Sequence, residues 1–143
     1  MDIIIRKAQI RDISDILKMN EEFNGVRSTF KAMKYSLENN NELVYVAVDN
    51  DKAIGFICGQ MYGSICYQNG LQGELTELFV DKEYRQRGVA TKLIKTIEDE
   101  LIKSNVQEIY LKTGLNNKKA RKLYEKCGYF DYEEVVYKKE IDN

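Results

Sequence analysis

Residues Gly73 to Thr91 read GELTELFVDKEYRQRGVAT, and the fold turns on how this stretch divides. Leu75 to Val80 is an apolar run of strand length, Asp81 to Tyr84 is a charged turn, and Arg85 to Ala90 leads into a segment with Val89, Leu93, Ile97 and Leu101 four apart. That spacing puts the four side chains on one face of a helix. The first four N–H groups of a helix have no intrahelical partner, and the macrodipole places about half a positive charge there, which suits a diphosphate. Gly88 has no side chain to block the approach, Arg85 and Arg87 add charge at the rim, and Thr91 adds a hydroxyl donor one turn in. The plain alternative is a strand joined to a surface helix by a solvated basic turn.

A second block, Asn117-x-x-Ala120-x-x-Leu123-Tyr124-x-x-x-Gly128-Tyr129, lies downstream. Arg85-x-x-Gly88-x-Ala90 directly after a strand resembles the acyl-CoA pyrophosphate loop of the GNAT N-acetyltransferase superfamily, and the second block resembles the family's fourth helix and following strand. Together they cover about Gly73 to Phe130. The resemblance implies an α/β (α+β) fold, a central mixed and twisted sheet of about six to seven strands flanked by about four helices. It implies acetyl-CoA as cosubstrate, held by Leu78, Phe79, Val80, Arg85, Gln86, Arg87, Gly88, Val89, Ala90, Thr91, Asn117, Ala120 and Tyr124.

The chain has 143 residues, the size of one domain able to bury most of its apolar surface without crosslinks, so a single domain over 1–143 is expected. With 22 basic and 23 acidic residues the net charge is -1, which supplies no global field for nucleic acid or an anionic membrane. Neither is expected as a partner. There is no histidine, which excludes histidine bases, Ser-His-Asp schemes and His-ligated metals; no metal is expected. Cys58, Cys66 and Cys127 lack the paired spacing of zinc or redox sites and are expected to be core thiols in a reducing cytosol. The apolar run near Met1 is too short for a signal peptide and no stretch approaches membrane-spanning length, so a cytoplasmic location is expected.

In chain order, Ile3 to Arg6 is an expected strand, and Asp12 is placed to cap a helix carrying Ile13, Ile16 and Leu17 that frays near Asn24 and Gly25. A second helix is expected from Thr29 to Glu38, with Phe30, Met33 and Leu37 on one face. Leu43 to Val48 and Ala53 to Tyr62 read as a hairpin around Asp49-Asn50-Asp51-Lys52, followed by a loop from Gly63 to Gln72. Leu78, Phe79 and Val80 are consecutive apolar residues, so either the strand is covered on both faces or a bulge flips its parity. The family resemblance favours the bulge, which splays this strand from the next, at Glu108 to Lys112, and leaves a wedge for the pantetheine amides. The helix from Gly88 to about Ser104 makes the two strands parallel. Asn117 caps a last helix that Gly128 stops, and one further strand is expected around Glu134 to Glu140.

Acetyl transfer to an amine requires a neutral amine, a stabilised oxyanion and a proton for the departing thiolate. A primary amine with a pKa of about 10.4 is neutral in only about one molecule in 10³ at pH 7, so a carboxylate that takes its proton is useful. Glu77, beside the wedge, is the first candidate and Glu74 the second; the plain alternative for both is a solvent-facing strand residue. A backbone N–H at or next to Leu78, freed by the bulge, can bond the oxyanion. Tyr124 matches the family's general acid, its alternative being an amphipathic tyrosine on a core helix face, and Asn117 is expected to fix the pantetheine arm as well as cap its helix. In the resembling family the connection between the first two helices borders the acceptor pocket, which makes Glu21, Glu22, Phe23 and Asn24 candidate acceptor contacts, with Glu74 and Tyr67. The acidic residues point to a small cationic acceptor of polyamine or aminoglycoside type. The rival substrate is a protein N-terminal or lysine amine, and a reading of another class is a non-catalytic CoA-binding sensor or interaction module. A homodimer is left open.

Overall fold

A computed structural model describes residues 2–66 and 71–142, which divide into two compact units, Met1–Lys112 and Thr113–Asn143. The first unit holds β1 (Ile4–Lys7), α1 (Ile13–Asn24), α2 (Phe30–Glu38), β2 (Leu43–Asp49), β3 (Lys52–Gly63), β4 (Leu71–Val80), α3 (Val89–Lys103) and β5 (Val106–Leu111). The strands lie in the order β1-β2-β3-β4-β5, antiparallel up to β4, with β5 parallel to β4. A long helix between β4 and β5 is what a parallel neighbour requires.

The sheet is covered on both faces. One face carries Val46, Val48, Phe56, Cys58 and Phe79 against Ile16 and Met19 of α1. The other faces α3, whose Leu93, Ile94, Ile97 and Leu101 are almost wholly buried, each such side chain contributing about 1.5–3 kcal/mol relative to exposure. Two glycines let α3 come close: a Cβ on Gly59 would stand 2.7 Å from Ile97 Cδ1, and one on Gly73 would stand 3.1 Å from Leu101 Cδ1. The β2–β3 hairpin closes on Asn50 and Asp51, both at positive φ (47° and 64°), the pair of left-handed residues that a tight two-residue turn needs.

Asp12 stands at the N-cap position of α1, but its side chain makes no cap bond, contrary to the expected role. Its carboxylate instead accepts from Arg6 Nη1 and Nη2 at 2.7 and 2.9 Å and from the Gln9 N–H at 2.7 Å. The residue is 2% exposed. Burial pushes the carboxyl up, but the hydrogen bonds from Arg6 and Gln9 outweigh it and hold the group below the usual carboxylate range. Asp12 therefore fastens β1 to the turn that launches α1.

The parity question in β4 is answered by register. Cys58 pairs with Glu77 and Gly59 with Leu75, so Thr76 is an extra residue, a bulge. Before it, Gly73 faces α3; after it, Phe79 packs with α1. The strand is also covered on both faces at its end, since Phe79 and Val80 are both buried. β4 is longer than the expected Leu75 to Val80, and residues 64–66 and 71–72 divide the expected loop between a turn and the strand start.

The second unit holds α4 (Lys118–Lys126), capped by Asn117 Oδ1, which accepts from the Ala120 N–H at 3.2 Å. Gly128, at φ +95°, stops it as expected. The strand expected at Glu134 to Glu140 is absent from the described residues, which leaves the sheet with five strands rather than six to seven. Two local features oppose it: Glu133 sits at φ 59°, and Val135, Val136 and Tyr137 are consecutive rather than alternating. Cys58 is buried as expected, whereas Cys66, on the turn after β3, is exposed and Cys127, in the turn ending α4, is half-buried. Among the described residues no helix is long and apolar enough to cross a membrane.

Candidate functional site

The β4–β5 ladder runs from Leu71 opposite Val106 to Leu75 opposite Leu111 and ends there. Leu78, Phe79 and Val80 continue in register with β3 but have no β5 partner among the described residues, so the two parallel strands part where the bulge lies. Past the end of β4, Arg85 Nε donates to the Val80 carbonyl at 2.7 Å and its guanidinium covers the Phe79 ring at 5.4 Å. Arg87 covers the Tyr84 ring at 5.7 Å, and Tyr84 donates to Asp49 at 2.7 Å. The basic turn is thus tied to the sheet by its own side chains.

The turn delivers Gly88 to the N-cap of α3 at φ +79°, where no side chain caps the helix. Gln86 is also left-handed, at φ 62°. The Lys92 N–H bonds the Gly88 carbonyl at 3.1 Å, so the N–H groups of Val89, Ala90 and Thr91 precede the first intrahelical bond of α3. A Cβ at Gly88 would meet nothing within 4 Å, which leaves the space before those groups open. Val89 is buried and anchors the turn, Ala90 is half-buried and Thr91 exposed. An uncapped, open helix start fits a phosphate oxygen acceptor.

On the α1/α2 face a cavity of about 260 Å³ lies between the helices and the sheet. Ile13, Ile16 and Asn20 of α1, Ser28, then Ala32, Met33, Ser36 and Leu37 of α2, and Glu42, Val44, Phe56, Cys58 and Glu77 line it. α2 has no fully buried residue and roofs the cavity rather than filling it. Asn24 Nδ2 donates to Asn20 Oδ1 at 2.8 Å and to Glu77 Oε2 at 3.4 Å, which ties the end of α1 to the candidate base. Phe23 meets Phe79 with ring centroids 5.7 Å apart and the rings tilted by 43°, while remaining half exposed.

The structure therefore brings Glu77, Asn24 and Phe23 together and leaves Glu21 and Glu22 exposed on α1, away from the cavity-lining residues of that helix. By strand alternation Glu74 shares the α1/α2 side, since its neighbour Gly73 faces α3. Tyr67 lies outside the described residues. Tyr124 and Asn117 belong to the second unit, where Tyr124 meets Tyr129 edge-on at 6.2 Å. Sequence reasoning missed Glu42, which lines the cavity. Burial, and then the charge of Glu77, push its carboxyl up, partly offset by the Gln60 side chain. Its only signal was a place two residues before Val44, in phase with that strand's inward face, and the preceding Asn39-Asn40-Asn41 disguised it as loop.

The acetyltransferase (GNAT) family matches residues 10–129, a stretch that runs through both units. The chain is 37% identical over 95 residues to N-alpha-acetyltransferase 30 of Schizosaccharomyces pombe, a match covering 66% of this chain and 61% of that protein. It is 26% identical over 134 residues to an N-alpha-acetyltransferase of Saccharolobus solfataricus, covering 90% and 80%. The chain thus spans less than two thirds of the length of the fission-yeast relative. The fold is shared with an aminoglycoside acetyltransferase from an uncultured soil metagenomic sample, at TM-score 0.85 and 18% identity over 99% of this chain and 97% of the other. With the family matched over residues 10–129, the chain belongs to the acetyltransferase (GNAT) family.

Proposed function

We propose that residues 1–143 act as one acetyl-CoA-dependent N-acetyltransferase domain and that the acceptor is the α-amino group of a polypeptide. The observation that carries the reaction class is the parting of β4 from β5 at Leu75, followed by the uncapped start of α3 behind Gly88. The peptide acceptor is supported by the relatives named N-alpha-acetyltransferase. Acetyl-CoA, when bound, supplies an acetyl group activated as a thioester. The N–H groups of Val89, Ala90 and Thr91 would hold its phosphates, and Leu78, Phe79 and Val80 would border its pantetheine. Arg85 and Arg87 are fixed beside this helix start and add positive charge there. On the acceptor side Glu77, oriented by Asn24, takes the proton of the incoming ammonium. A backbone N–H of the bulged strand stabilises the oxyanion, and Tyr124 gives its phenolic proton to the departing thiolate.

A small cationic amine is the second reading, favoured by the carboxylates of Glu42, Glu74 and Glu77 on one side of the sheet. The deciding experiment measures CoA release from acetyl-CoA against a panel of N-terminally free peptides, polyamines and aminoglycosides. Peptide-dependent release is expected. Release only with small amines would replace the first reading by the second, and tight CoA binding without release from any acceptor would make the chain a CoA-binding module.

A further inference from the structure

We propose that Glu42 is a positioning residue for the acceptor, a second carboxylate across the cavity from Glu77 whose negative charge draws a cationic amine to Glu77. The proposal rests on the reading of the chain as an N-acetyltransferase whose amine reacts at Glu77, and it adds a residue that selects charged over neutral acceptors.

Register sets the geometry. Val44 pairs with Cys58, and Cys58 with Glu77, in one cross-strand row. Continued by two residues, the same ladders place Glu42 beside Gln60, and Gln60 pairs with Glu74 in the next row. The Gln60 side chain is among the groups that act on the Glu42 carboxyl, as that placement requires. Between Glu74 and Glu77 the bulge matters: in a regular strand, residues three apart face opposite sides, and the extra Thr76 restores them to the same one.

The titratable groups on the side of the sheet that Glu42 faces are Glu77 and Glu74 on β4 and Cys58 on β3. From the helices and their connection the cavity receives Asn20, Ser28 and Ser36, and no lysine or arginine appears in its described lining. Two carboxylates in a partly enclosed space with no cation between them repel one another and lose hydration. An entering ammonium relieves both effects, whereas a neutral acceptor relieves neither. Consistent with this, burial and Glu77 together raise the Glu42 carboxyl above its ordinary value of 4.5. A raised carboxyl contributes stability that is present at low pH and lost as pH rises through the folded-state value, so an ionised Glu42 weakens the free protein. A neutral side chain at this position would be more stable.

The test is steady-state kinetics at saturating acetyl-CoA with a peptide bearing a free N-terminus, for the wild type, Glu42→Gln and Glu42→Asp across pH. The glutamine is isosteric and keeps a partner for Gln60. Acceptor KM is expected to rise about tenfold in Glu42→Gln, with kcat changed by less than about twofold and CoA affinity by calorimetry unchanged. The fall of wild-type KM as Glu42 ionises should vanish, Glu42→Asp should recover part of it, and the thermal midpoint of Glu42→Gln at neutral pH should rise. An unchanged KM with the wild-type pH profile overturns the proposal. So does a joint loss of kcat, CoA affinity and thermal midpoint, which would make Glu42 a packing residue. A wild type that acetylates no amine removes the parent reading, and with it this one.

Discussion

Gly88 sits at φ +79° with nothing within 4 Å of where a side chain would begin. Gly88→Glu therefore meets backbone strain of about 1–2 kcal/mol but no clash, and the folded variant places a carboxylate in front of the open N–H groups of α3. Calorimetry should find CoA binding lost while circular dichroism stays native; retained affinity would remove the helix start from the cofactor site. Tyr124→Phe tests a different moment of the reaction. A thioester sulfur is a poor hydrogen-bond acceptor, whereas the departing thiolate is a strong one, so the hydroxyl counts only as the C–S bond breaks. General-acid assistance is worth about 10²- to 10⁴-fold, so single-turnover rates with saturating acceptor should drop by that factor while acetyl-CoA affinity holds. A rate within about threefold of wild type would leave Tyr124 as a packing partner of Tyr129.

Among the elements, α3 and β4 were the most legible in sequence and β4 also hid the most. Val89, Leu93, Ile97 and Leu101 announced a buried helix face by spacing alone, and all four are buried. The bulge was another matter, because three consecutive apolar residues fit either a doubly covered strand or a parity flip, and only pairing with Cys58 and Gly59 locates it at Thr76. Glu42 was hidden for a different reason: its phase with Val44 puts it on the inward side, but the preceding Asn39-Asn40-Asn41 reads as loop. Close approach is likewise invisible before pairing is known. Gly59→Ala would put a methyl 2.7 Å from Ile97 Cδ1 and 3.2 Å from the Glu74 carbonyl oxygen, and is expected to cost about 1–3 kcal/mol in chemical denaturation. Gly114→Ala, where the added carbon meets Asn117 Cβ at an ordinary 3.7 Å, is the control and should change little. Equal stability of the two variants would mean that α3 does not need the missing side chain.

For the whole molecule, acid stability should be governed in good part by the Arg6–Asp12 pair. Asp12 is held below its ordinary value of 3.8, so its contribution is fully present above that pH and is lost as pH falls through the lower folded-state value. Asp12→Asn leaves Arg6 without its carboxylate; since that arginine keeps partial solvent contact, a loss of about 2–4 kcal/mol at neutral pH is expected, below the cost of breaking a fully buried pair. Urea titrations at descending pH should show the gap between wild type and variant narrowing below that value, and a constant gap would assign the loss to packing. At this scale the sequence read the order of helices and strands correctly, because each carries its own periodicity. The last segment was misread: the family resemblance implied a strand around Glu134 to Glu140, while left-handed Glu133 and the unalternating Val135-Val136-Tyr137 run do not support one.

The bulge also constrains how this gene can change. Residues on either side of Thr76 keep their sides because the bulge takes up the one residue by which the strand exceeds its partner. A pairing that drew Thr76 into the ladder would turn Glu77 and Phe79 toward α3 and drive Leu78 and Val80 to the cavity side, inverting half a strand at once, whereas deleting Thr76 removes the extra residue and leaves Leu75 opposite Gly59 and Glu77 opposite Cys58. Substitutions at Thr76 leave that count intact, whatever they do to its buried, unbonded hydroxyl. Lineages descended from this sequence should accordingly change residue 76 in type, or lose it, without inverting the strand, and in a library of one-residue deletions across β4 the Thr76 deletion should keep folded protein most often.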